Sequence, residues 1–562
     1  MKTKIHLIII LLFSGTIRLI FLNKIPIGIN NDELHFVMNA KSIFYNFTNL
    51  EGKINPLQLS EISSLIFSPI IGPLSNNLFT ARLPYAIVGI LSCLLIYLIT
   101  LKFTKNNQLA LISGLIMSLN PWSIYVSRTS FDAPIAIFLY LLTIYLLMLS
   151  KTKYILLSIL TAFLAFHSYI GTKIIYFPIV LLSSLFLWKH NKQKNSTAYA
   201  IVIFFSLVTT INFIIKLPVQ LVGDRLSELQ TPNSQIIKNQ VELERRQSLQ
   251  IPFLKVIFTN KYTIYFRNFI QKYLYNFSTD ILFINGDHTS TGSLWKHGYF
   301  YYIDFFLIII GLVFLYNKYK FFLFFIISLI CLSPLPEAVR ADKNPSYIFH
   351  SSFQFPLICI IVAAGVLYLL NKFTKTKLSN ILVVFYLLSF INFVDIYFFK
   401  APIYQPEAFR FSQRLLSKYL QLETEKNRQI FVLTQEPEVS FRSYLFYTNY
   451  YQKNKVNFIK EIYSKPTDNI TFKNIHFINH QKYLPNTSDF TLIYDSINFA
   501  FNSDESKIHI SNLSDTGKIY SINRGLTCQN LILLPYPNNT NLKDLSIENL
   551  NELDYCQKYL TI

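Results

Sequence analysis

Long apolar runs, separated by short polar segments, fill most of the first 399 residues of this chain. A helix needs about 20 apolar residues to cross the hydrocarbon layer of a membrane, and several runs approach that length. The pattern predicts a polytopic α-helical membrane protein with about eleven spans. Composition agrees, because 52% of the residues are hydrophobic and only 15% are charged. The runs fall at 5–22, 83–101, 108–126, 133–149, 154–168, 174–188, 198–215, 301–315, 321–333, 351–370 and 379–399.

Basic residues are distributed unevenly among the connecting segments. Every second segment contains lysine and no acidic residue, whereas the segments between them hold nearly all the acidic and histidine residues of this region. Lysine-rich loops stay on the cytoplasmic side. We therefore expect the N-terminus on the cytoplasmic side of the plasma membrane and the region after residue 399 on the extracytoplasmic side. The net charge of +20 is therefore a topology signal, and no nucleic-acid partner is expected. The lysine segments are 102–107, 151–153, 189–194, 317–320 and 371–377.

Residues 400–562 have a different pattern, in which short β-like runs alternate with polar turns and one helical stretch, 406–422. We therefore expect a membrane domain over 1–399 and an extracytoplasmic α/β domain over 400–562. Cys528 and Cys556 are candidates for a disulfide if the compartment is oxidising. The predicted strands are 429–434, 470–477, 490–494, 507–510, 518–522 and 531–534.

The segment after the first apolar run contains two adjacent carboxylates, Asp32 and Glu33, followed by His35. Ionisable groups are costly near hydrocarbon, so an acidic pair beside a membrane is a candidate site. The alternative is that Asp32 only caps the helix that follows it, which is a common role for aspartate. The segment alone leaves both interpretations open.

Other segments on the same predicted face also carry polar groups. Arg128 and Asp132 are one helical turn apart, which is also the spacing of a simple local salt bridge. Asp287, His288 and His297 lack the tight spacing of metal ligands, so we expect no metal site and no cofactor. In 251–277, aromatic residues alternate with lysine and arginine, which predicts helices lying in the membrane interface. The remaining polar groups of interest are Tyr169, Lys173, Glu337, Arg340 and His350.

Several short motifs in residues 10–370 occur in a familiar order. They are Arg18, Pro26-Ile27-Gly28, Asp32-Glu33, Asn39-Ala40, Glu51-Gly52, Asn55-Pro56, Ala81-Arg82-Leu83-Pro84, Ser127-Arg128 with Asp132, Tyr169 with Lys173 and Pro178, Phe283 with Gly286-Asp287, and Pro334 with Pro336. Together they resemble the GT-C glycosyltransferases of the family 39-like branch. This branch includes protein O-mannosyltransferases, the lipid A aminoarabinose transferase and the rhizobial galacturonosyltransferases.

The resemblance implies a GT-C-like bundle that transfers a sugar from a polyprenyl-phosphate donor to an acceptor, with inversion and without a metal. Asp32 resembles the catalytic base, and Glu33 and Asp132 its acidic companions. After Gly286-Asp287 many relatives have a basic residue, whereas this chain reads His288-Thr289-Ser290-Thr291, so a phosphate role for this loop is not carried over. The expected phosphate-binding residues are Arg128, Lys173 and Arg340, and the expected substrate-binding residues are His35, Tyr169, Asp287 and His288.

Two other functions remain open at this stage. A transporter or lipid flippase usually has interrupted helices, polar residues at mid-membrane depth and two related halves, and this sequence shows no internal repeat. A binding or assembly protein would use the α/β domain and need the spans only as an anchor. Such an anchor has no need of polar groups on nearly every predicted outer loop. The sequence identifies neither the sugar nor the acceptor, which is a protein, a lipid or a glycan.

Overall fold

A computed structural model shows a helical bundle joined to a seven-stranded mixed sheet. It describes residues 2–50, 52, 62–191, 194–220, 234–249, 251–289, 291–340, 347–373, 378–463, 468–485, 489–501, 508–514, 517–529, 531, 533, 542 and 544–561. The predicted fold class, a polytopic helical membrane protein with a C-terminal α/β domain, is confirmed. The predicted boundary at 399/400 falls inside the π-helical turn Ile396–Lys400.

Each of the predicted apolar runs is mainly helical, and the run 108–126 is divided between two helices, α5 and α6. The helices of the first 399 residues are α1 Lys2–Leu19, α2 Asn31–Asn46, α3 Ile62–Ile71, α4 Leu78–Thr104, α5 Asn107–Leu119, α6 Pro121–Ser127, α7 Ala133–Met148, α8 Thr152–Ser168, α9 Lys173–His190, α10 Ser196–Gln220, α11 Ser234–Gln247, α12 Pro252–Phe258, α13 Lys261–Tyr275, α14 Tyr302–Leu332, α15 Leu335–Val339, α16 Ile348–Ser351, α17 Gln354–Lys372 and α18 Leu378–Asp395.

Six helices among the described residues are long and apolar enough to cross a membrane, and a seventh span results if the bent pair α5 and α6 is counted as one. The sequence predicted about eleven spans, which is a larger number. Part of the difference lies in α7 and α8, which are apolar but fall in the class of 10–17 residues. Two predicted runs also share α14, which contains a break at Tyr319 (φ −138°, ψ 45°).

The break in α14 lies beside the ends of α4 and α9. The rings of Phe103 and Phe322 are 4.5 Å apart, and those of His190 and Phe321 are 5.7 Å apart. Three of the lysine segments, 102–107, 189–194 and 317–320, therefore meet at one end of the bundle, as the alternation of charge along the chain predicts.

Helices α14 and α17 cross at very short range. A Cβ atom on Gly311 would collide with the carbonyl of Ile361, and one on Gly365 would collide with the carbonyl of Leu307. Small residues at such crossings let two backbones approach closely, which is how helices associate when lipid removes the hydrophobic driving force between them.

Helices α12 and α13 fall in the segment that the sequence assigned to the membrane interface. Large apolar side chains of α12 and α13 remain uncovered, including Phe253 (73% exposed) and Phe266 (65% exposed). Lys255 and Lys261 stand on the same two helices. This combination is typical of helices that lie on a membrane surface, and their interfacial position stays a prediction.

The C-terminal domain contains one sheet with the strand order β2-β3-β1-β4-β6-β5-β7. Strand β1 pairs in parallel with β3 and β4, and the other pairings are antiparallel. The strands are β1 Ile430–Leu433, β2 Asn469–Phe472, β3 Ile475–Ile478, β4 Thr491–Asp495, β5 Ile508–Ser511, β6 Lys518–Asn523 and β7 Leu560–Thr561. The helices are α19 Ala401–Tyr404, α20 Phe411–Thr424, α21 Pro437–Tyr447, α22 Val456–Tyr463 and α23 Glu552–Tyr559.

Most of the predicted strands are present, and the run 470–477 is a hairpin formed by β2 and β3. The predicted strand 531–534 is wrong where it can be assessed, since Leu531 and Leu533 lie outside any strand. The candidate disulfide between Cys528 and Cys556 is confirmed, with the two Cα atoms 5.8 Å apart.

Glu423, at the end of α20, holds the loop that leads to this disulfide. Its carboxylate is buried and accepts hydrogen bonds from Leu526 N (3.0 Å), Thr527 N (2.7 Å) and Thr491 Oγ1 (2.5 Å). Burial by itself would raise the pKa of Glu423. The hydrogen bonds outweigh burial because they favour the ionised form, and they hold the pKa below its ordinary value of 4.5.

We expect Glu423→Gln to destabilise the sheet by about 1.5–3 kcal/mol, because charge-assisted hydrogen bonds are replaced by weaker ones. The lowered pKa also means that the contribution of Glu423 is fully present above pH 4.5 and is lost as the pH falls through the folded-state value. Hydrogen–deuterium exchange of β4 in the full-length protein measures both effects. The matched control is Glu425→Gln, which alters an exposed carboxylate on the same stretch. Equal exchange in the two variants would contradict the assignment.

Candidate functional site

Residues 25–28, between α1 and α2, form a backbone segment that we call the arginine-held loop. Each of its four consecutive carbonyls accepts a hydrogen bond from a buried arginine. The donors come from α4, from the turn before α7, and from α20 of the C-terminal domain. The pairs are Arg128 Nη2 to Ile25 O (3.0 Å), Arg82 Nη1 to Pro26 O (2.7 Å), Arg414 Nη1 to Ile27 O (2.6 Å) and Arg82 Nη2 to Gly28 O.

These contacts fix where α2 begins. A buried carbonyl without a donor is costly, and a guanidinium offers five donors in a rigid plane, so one arginine serves several carbonyls at once. Arg128 also donates to Ile17 O (2.9 Å) and Arg18 O (3.0 Å), which fastens the end of α1 to the same point. The visible contacts of Arg128 are thus structural, and its expected role in binding phosphate stays a prediction.

The first turn of α2 separates the two adjacent carboxylates. Asn30 is the N-cap, because its side chain accepts from Asp32 N (3.0 Å) while Glu33 Oε2 accepts from Asn30 N (2.9 Å). This is a capping box, and it gives the capping role to Asn30 where the sequence had left Asp32 as the alternative. Asp32 itself is half-buried.

Glu33 is fully buried and has a full set of partners. Besides the N-cap, it accepts from Ser130 N (2.7 Å) and forms an ion pair with Arg82 Nε (3.4 Å). The carboxylate thereby joins α2 to α4 and to the turn before α7. These contacts make Glu33 a positioning residue.

Asp132 is buried at the start of α7, close to the same region. Tyr85 interacts electrostatically with both Asp132 and Glu33, so the two carboxylates lie near one tyrosine. The structure therefore brings together Asp32, Glu33 and Asp132, which are three of the predicted acidic residues.

A second polar cluster lies around α15 and α16. Glu337 is fully buried and forms an ion pair with Arg340 Nη2 (2.9 Å), and its Oε2 lies 3.3 Å from His350 Nδ1. The ring of His350 also contacts Tyr169, with the centroids 5.7 Å apart. Arg340 and Tyr169, which the sequence assigned to donor and substrate binding, therefore belong to one cluster.

Lys173 adjoins this cluster at the start of α9. The turn 170–172, which precedes Lys173, packs against both α15 and α16. The Lys173 ammonium lies 5.3 Å from the ring centre of Phe166 and 4.9 Å from that of Phe213. Arg340 and Lys173 thus supply two cations at neighbouring points of the bundle.

The two clusters adjoin through a pair of aromatic rings. Phe131, which directly precedes Asp132, packs against Phe349, which directly precedes His350, with centroids 4.7 Å apart. Tyr125 also interacts electrostatically with Glu33 and with Asp287. It therefore lies near two carboxylates that are far apart in the sequence. The folding of the chain therefore brings the segment that carries Asp132 against the segment that carries His350.

The loop that carries Asp287 has a structural role. Asp287 Oδ2 accepts from Ile348 N (2.6 Å), and Oδ1 accepts from Thr289 N (2.9 Å). The side chain of His288 is half-exposed and lies 2.8 Å from Asp280 Oδ2. Burial lowers the pKa of His297 below 6.5, so its imidazole is neutral at pH 7. The described residues contain no group of three or more metal-binding side chains.

His35 lies on the side of α2 that meets the C-terminal domain. Its Nε2 is 2.9 Å from Asn39 Nδ2, and its Nδ1 is 3.4 Å from Arg442 Nη1. Sequence reasoning did not find Arg414 or Arg442 as contributors to this region. Arg82 was visible only as part of the motif Ala81-Arg82-Leu83-Pro84.

Comparison with known proteins was informative only at the level of structure. No family model and no curated protein sequence matches the chain. Among solved structures, ArnT from Cupriavidus metallidurans in the apo state aligns with a TM-score of 0.51 at 8% identity, over 91% of this chain and 97% of ArnT. This alignment shows a shared fold, which is the GT-C-like fold that the sequence motifs predicted.

Two further solved structures align less well. ArnT from the same organism bound to undecaprenyl phosphate has a TM-score of 0.49 at 9% identity, covering 92% of this chain and 97% of ArnT. The oligosaccharyltransferase of Archaeoglobus fulgidus in the apo form has a TM-score of 0.43 at 12% identity, covering 78% of this chain. This chain spans 63% of the length of that oligosaccharyltransferase.

We expect Glu33→Gln to destabilise the protein by about 3–5 kcal/mol, because it leaves the buried charge of Arg82 without its partner. The measurement is the Tm of the detergent-purified full-length protein. Glu436→Gln is the control, since it removes an exposed partner of Arg410 and such surface pairs contribute less than about 1 kcal/mol. A Tm for Glu33→Gln equal to that of the control would show that the Glu33 contacts do not hold the fold.

Proposed function

We propose that this protein is a membrane glycosyltransferase that moves a sugar from a polyprenyl-phosphate donor to an acceptor at the extracytoplasmic face of the plasma membrane. The carrying observation is the first turn of α2. There Glu33 is fully buried and makes the structural contacts described above. The adjacent Asp32 is half-buried, at a point that the arginine-held loop fixes. A catalytic base needs this combination of fixed position and access to substrate.

Asp32 serves as the general base. The acceptor hydroxyl oxygen forms a bond to the anomeric carbon as the bond between that carbon and the phosphate oxygen breaks. The hydroxyl proton passes to Asp32, and the polyprenyl phosphate leaves as an anion with both bonding electrons. Attack opposite the leaving group inverts the anomeric centre. Glu33 and Asp132 support Asp32 from the buried side.

Lys173 and Arg340 stabilise the leaving phosphate. Cations placed in a water-poor site favour the charge that develops on a leaving group more strongly than they would in water. Their position beside the acidic cluster, across the contact of Phe131 with Phe349, supports this assignment. Tyr169 lies in the same cluster, and we assign it, with His35, Asp287 and His288, to the surroundings of the substrates.

The lipid-linked donor follows from the place of the site. No soluble nucleotide sugar is available outside the plasma membrane, so an activated sugar reaches this face on a lipid carrier. The shared fold supports the class, since ArnT from C. metallidurans has also been solved with undecaprenyl phosphate bound. The sugar and the acceptor are not specified by these observations.

We expect Asp32→Asn to lower sugar transfer by about 10²–10⁴-fold, the usual effect of losing a general base. The measurement is mass spectrometry of glycolipids and glycoproteins from cells with either form, combined with Tm to confirm folding. Asp395→Asn is the control, because it alters an exposed carboxylate paired with Lys400. Unchanged products in Asp32→Asn cells would remove Asp32 from the base role.

We expect Lys173→Met to weaken binding of undecaprenyl phosphate by about 10–100-fold, which corresponds to one charge-assisted contact of about 1.5–3 kcal/mol. Methionine keeps the apolar stem between the two phenylalanine rings, so the fold should persist. Binding is measured on the purified protein, with Lys153→Met on the predicted cytoplasmic side as the control. Equal affinities in the two variants would place the phosphate elsewhere.

A further inference from the structure

A cavity of about 540 Å³ lies between the start of α4 and the C-terminal domain. This volume is within the range of about 300–1,000 Å³ that is usual for small-molecule sites. Asp32 is not among its lining residues. The mechanism proposed above makes no use of this cavity.

The lining is rich in side-chain amides, which come from four separate parts of the chain. Each amide carries both a donor and an acceptor, so a set of amides matches the hydroxyl groups of a sugar, which also donate and accept. Ser546 adds a hydroxyl, and the ring of Tyr447 adds an apolar face. The amides are those of Asn23, Asn76, Asn77, Asn449 and Asn549.

Asn76 is the most buried of these amide residues. It is 8% exposed, and its N–H donates to Asn449 Oδ1 (2.9 Å), which joins two parts of the wall. Its Nδ2 atom is shielded from the cavity, so the donors within reach of a ligand are those of more exposed residues, including Asn23 and Asn549.

The charges in the cavity wall compensate each other. Arg414 forms a two-pronged ion pair with Glu548, with Nε–Oε1 and Nη2–Oε2 both 2.7 Å. Little net charge is therefore left to attract a phosphate or an acidic group. Amides, a hydroxyl, an aromatic ring and balanced charge together favour a neutral, hydroxyl-rich ligand.

The same wall supports the arginine-held loop from the other side. Arg414 donates to Ile27 O, and Ile29 N donates to the Tyr447 hydroxyl (3.0 Å). These two side chains belong to the cavity and also hold the backbone that leads to Asn30 and Asp32. A ligand in the cavity is thus in contact with the residues that set the position of the proposed base.

We propose that this cavity binds a neutral saccharide, namely the glycan part of the acceptor. The identification as acceptor rests on the proposed glycosyltransferase function, whereas the binding of a saccharide does not. Saccharide binding follows from the amide lining, the aromatic face of Tyr447 and the balanced ion pair.

The test is saturation-transfer difference NMR on the purified full-length protein, with the methyl pyranosides of glucose, galactose, mannose and N-acetylglucosamine as probes. We expect saturation transfer to at least one probe and at least tenfold weaker binding in Asn76→Leu. The control is Asn479→Ala. It removes an amide of the C-terminal domain that pairs with Asp468 and does not line the cavity. If Asn76→Leu fails to fold, Asn549→Ala takes its place, because its side chain is exposed.

Absence of transfer to every neutral pyranoside would overturn the proposal. So would unchanged binding in the cavity variants, or a preference for methyl glucuronoside or a neutral tetrapeptide over the neutral sugars. No donor or turnover enters this measurement, so it is independent of the glycosyl-transfer assay. Saccharide binding that persists in Asp32→Asn supports the cavity assignment, whether or not that variant still transfers sugar.

Discussion

The structure depends on satisfying four buried carbonyls in the arginine-held loop. Water is excluded there, so each carbonyl requires a donor from the protein itself. Arg82 and Arg128 supply donors from the bundle, and Arg414 supplies one from the C-terminal domain. Because all three act on one short segment, the segment becomes the point at which the bundle and the domain are held together. The direction of α2 and the position of its first turn follow from this arrangement.

Adjacent carboxylates take different roles because the helix points them into different surroundings. Glu33 faces inwards, where a buried guanidinium and backbone N–H groups compensate its charge. Asp32 is one residue earlier and therefore lies on another side of the helix, where it remains partly accessible. The buried residue fixes the geometry, and the proposed function gives the catalytic role to the more accessible one. Neither role is a property of the acidic pair as such.

The sequence predicted features that depend on local pattern. Apolar runs located the helices, and short β-like runs bounded by polar turns located β1, β4, β5 and β6, because both signals are local. The sequence did not reveal that Arg414 contacts Ile27, since the two residues are 387 positions apart and no local pattern encodes such a pairing. The capping role of Asn30 was equally hidden, because Asp32 and Asn30 are both ordinary N-cap residues and only the backbone geometry distinguishes them.

Helix α13 contacts the proposed phosphate site through one hydrogen bond, from Lys272 Nζ to the carbonyl of Arg340 (2.8 Å). If α13 lies in the headgroup layer, its depth follows the thickness and charge of the bilayer. Arg340 would then shift with that depth, while Glu33 and Asp132 stay fixed within the bundle. The spacing between the acids and the cations proposed to bind phosphate would thus respond to the surrounding lipid, which would make the membrane itself an element of the proposed site.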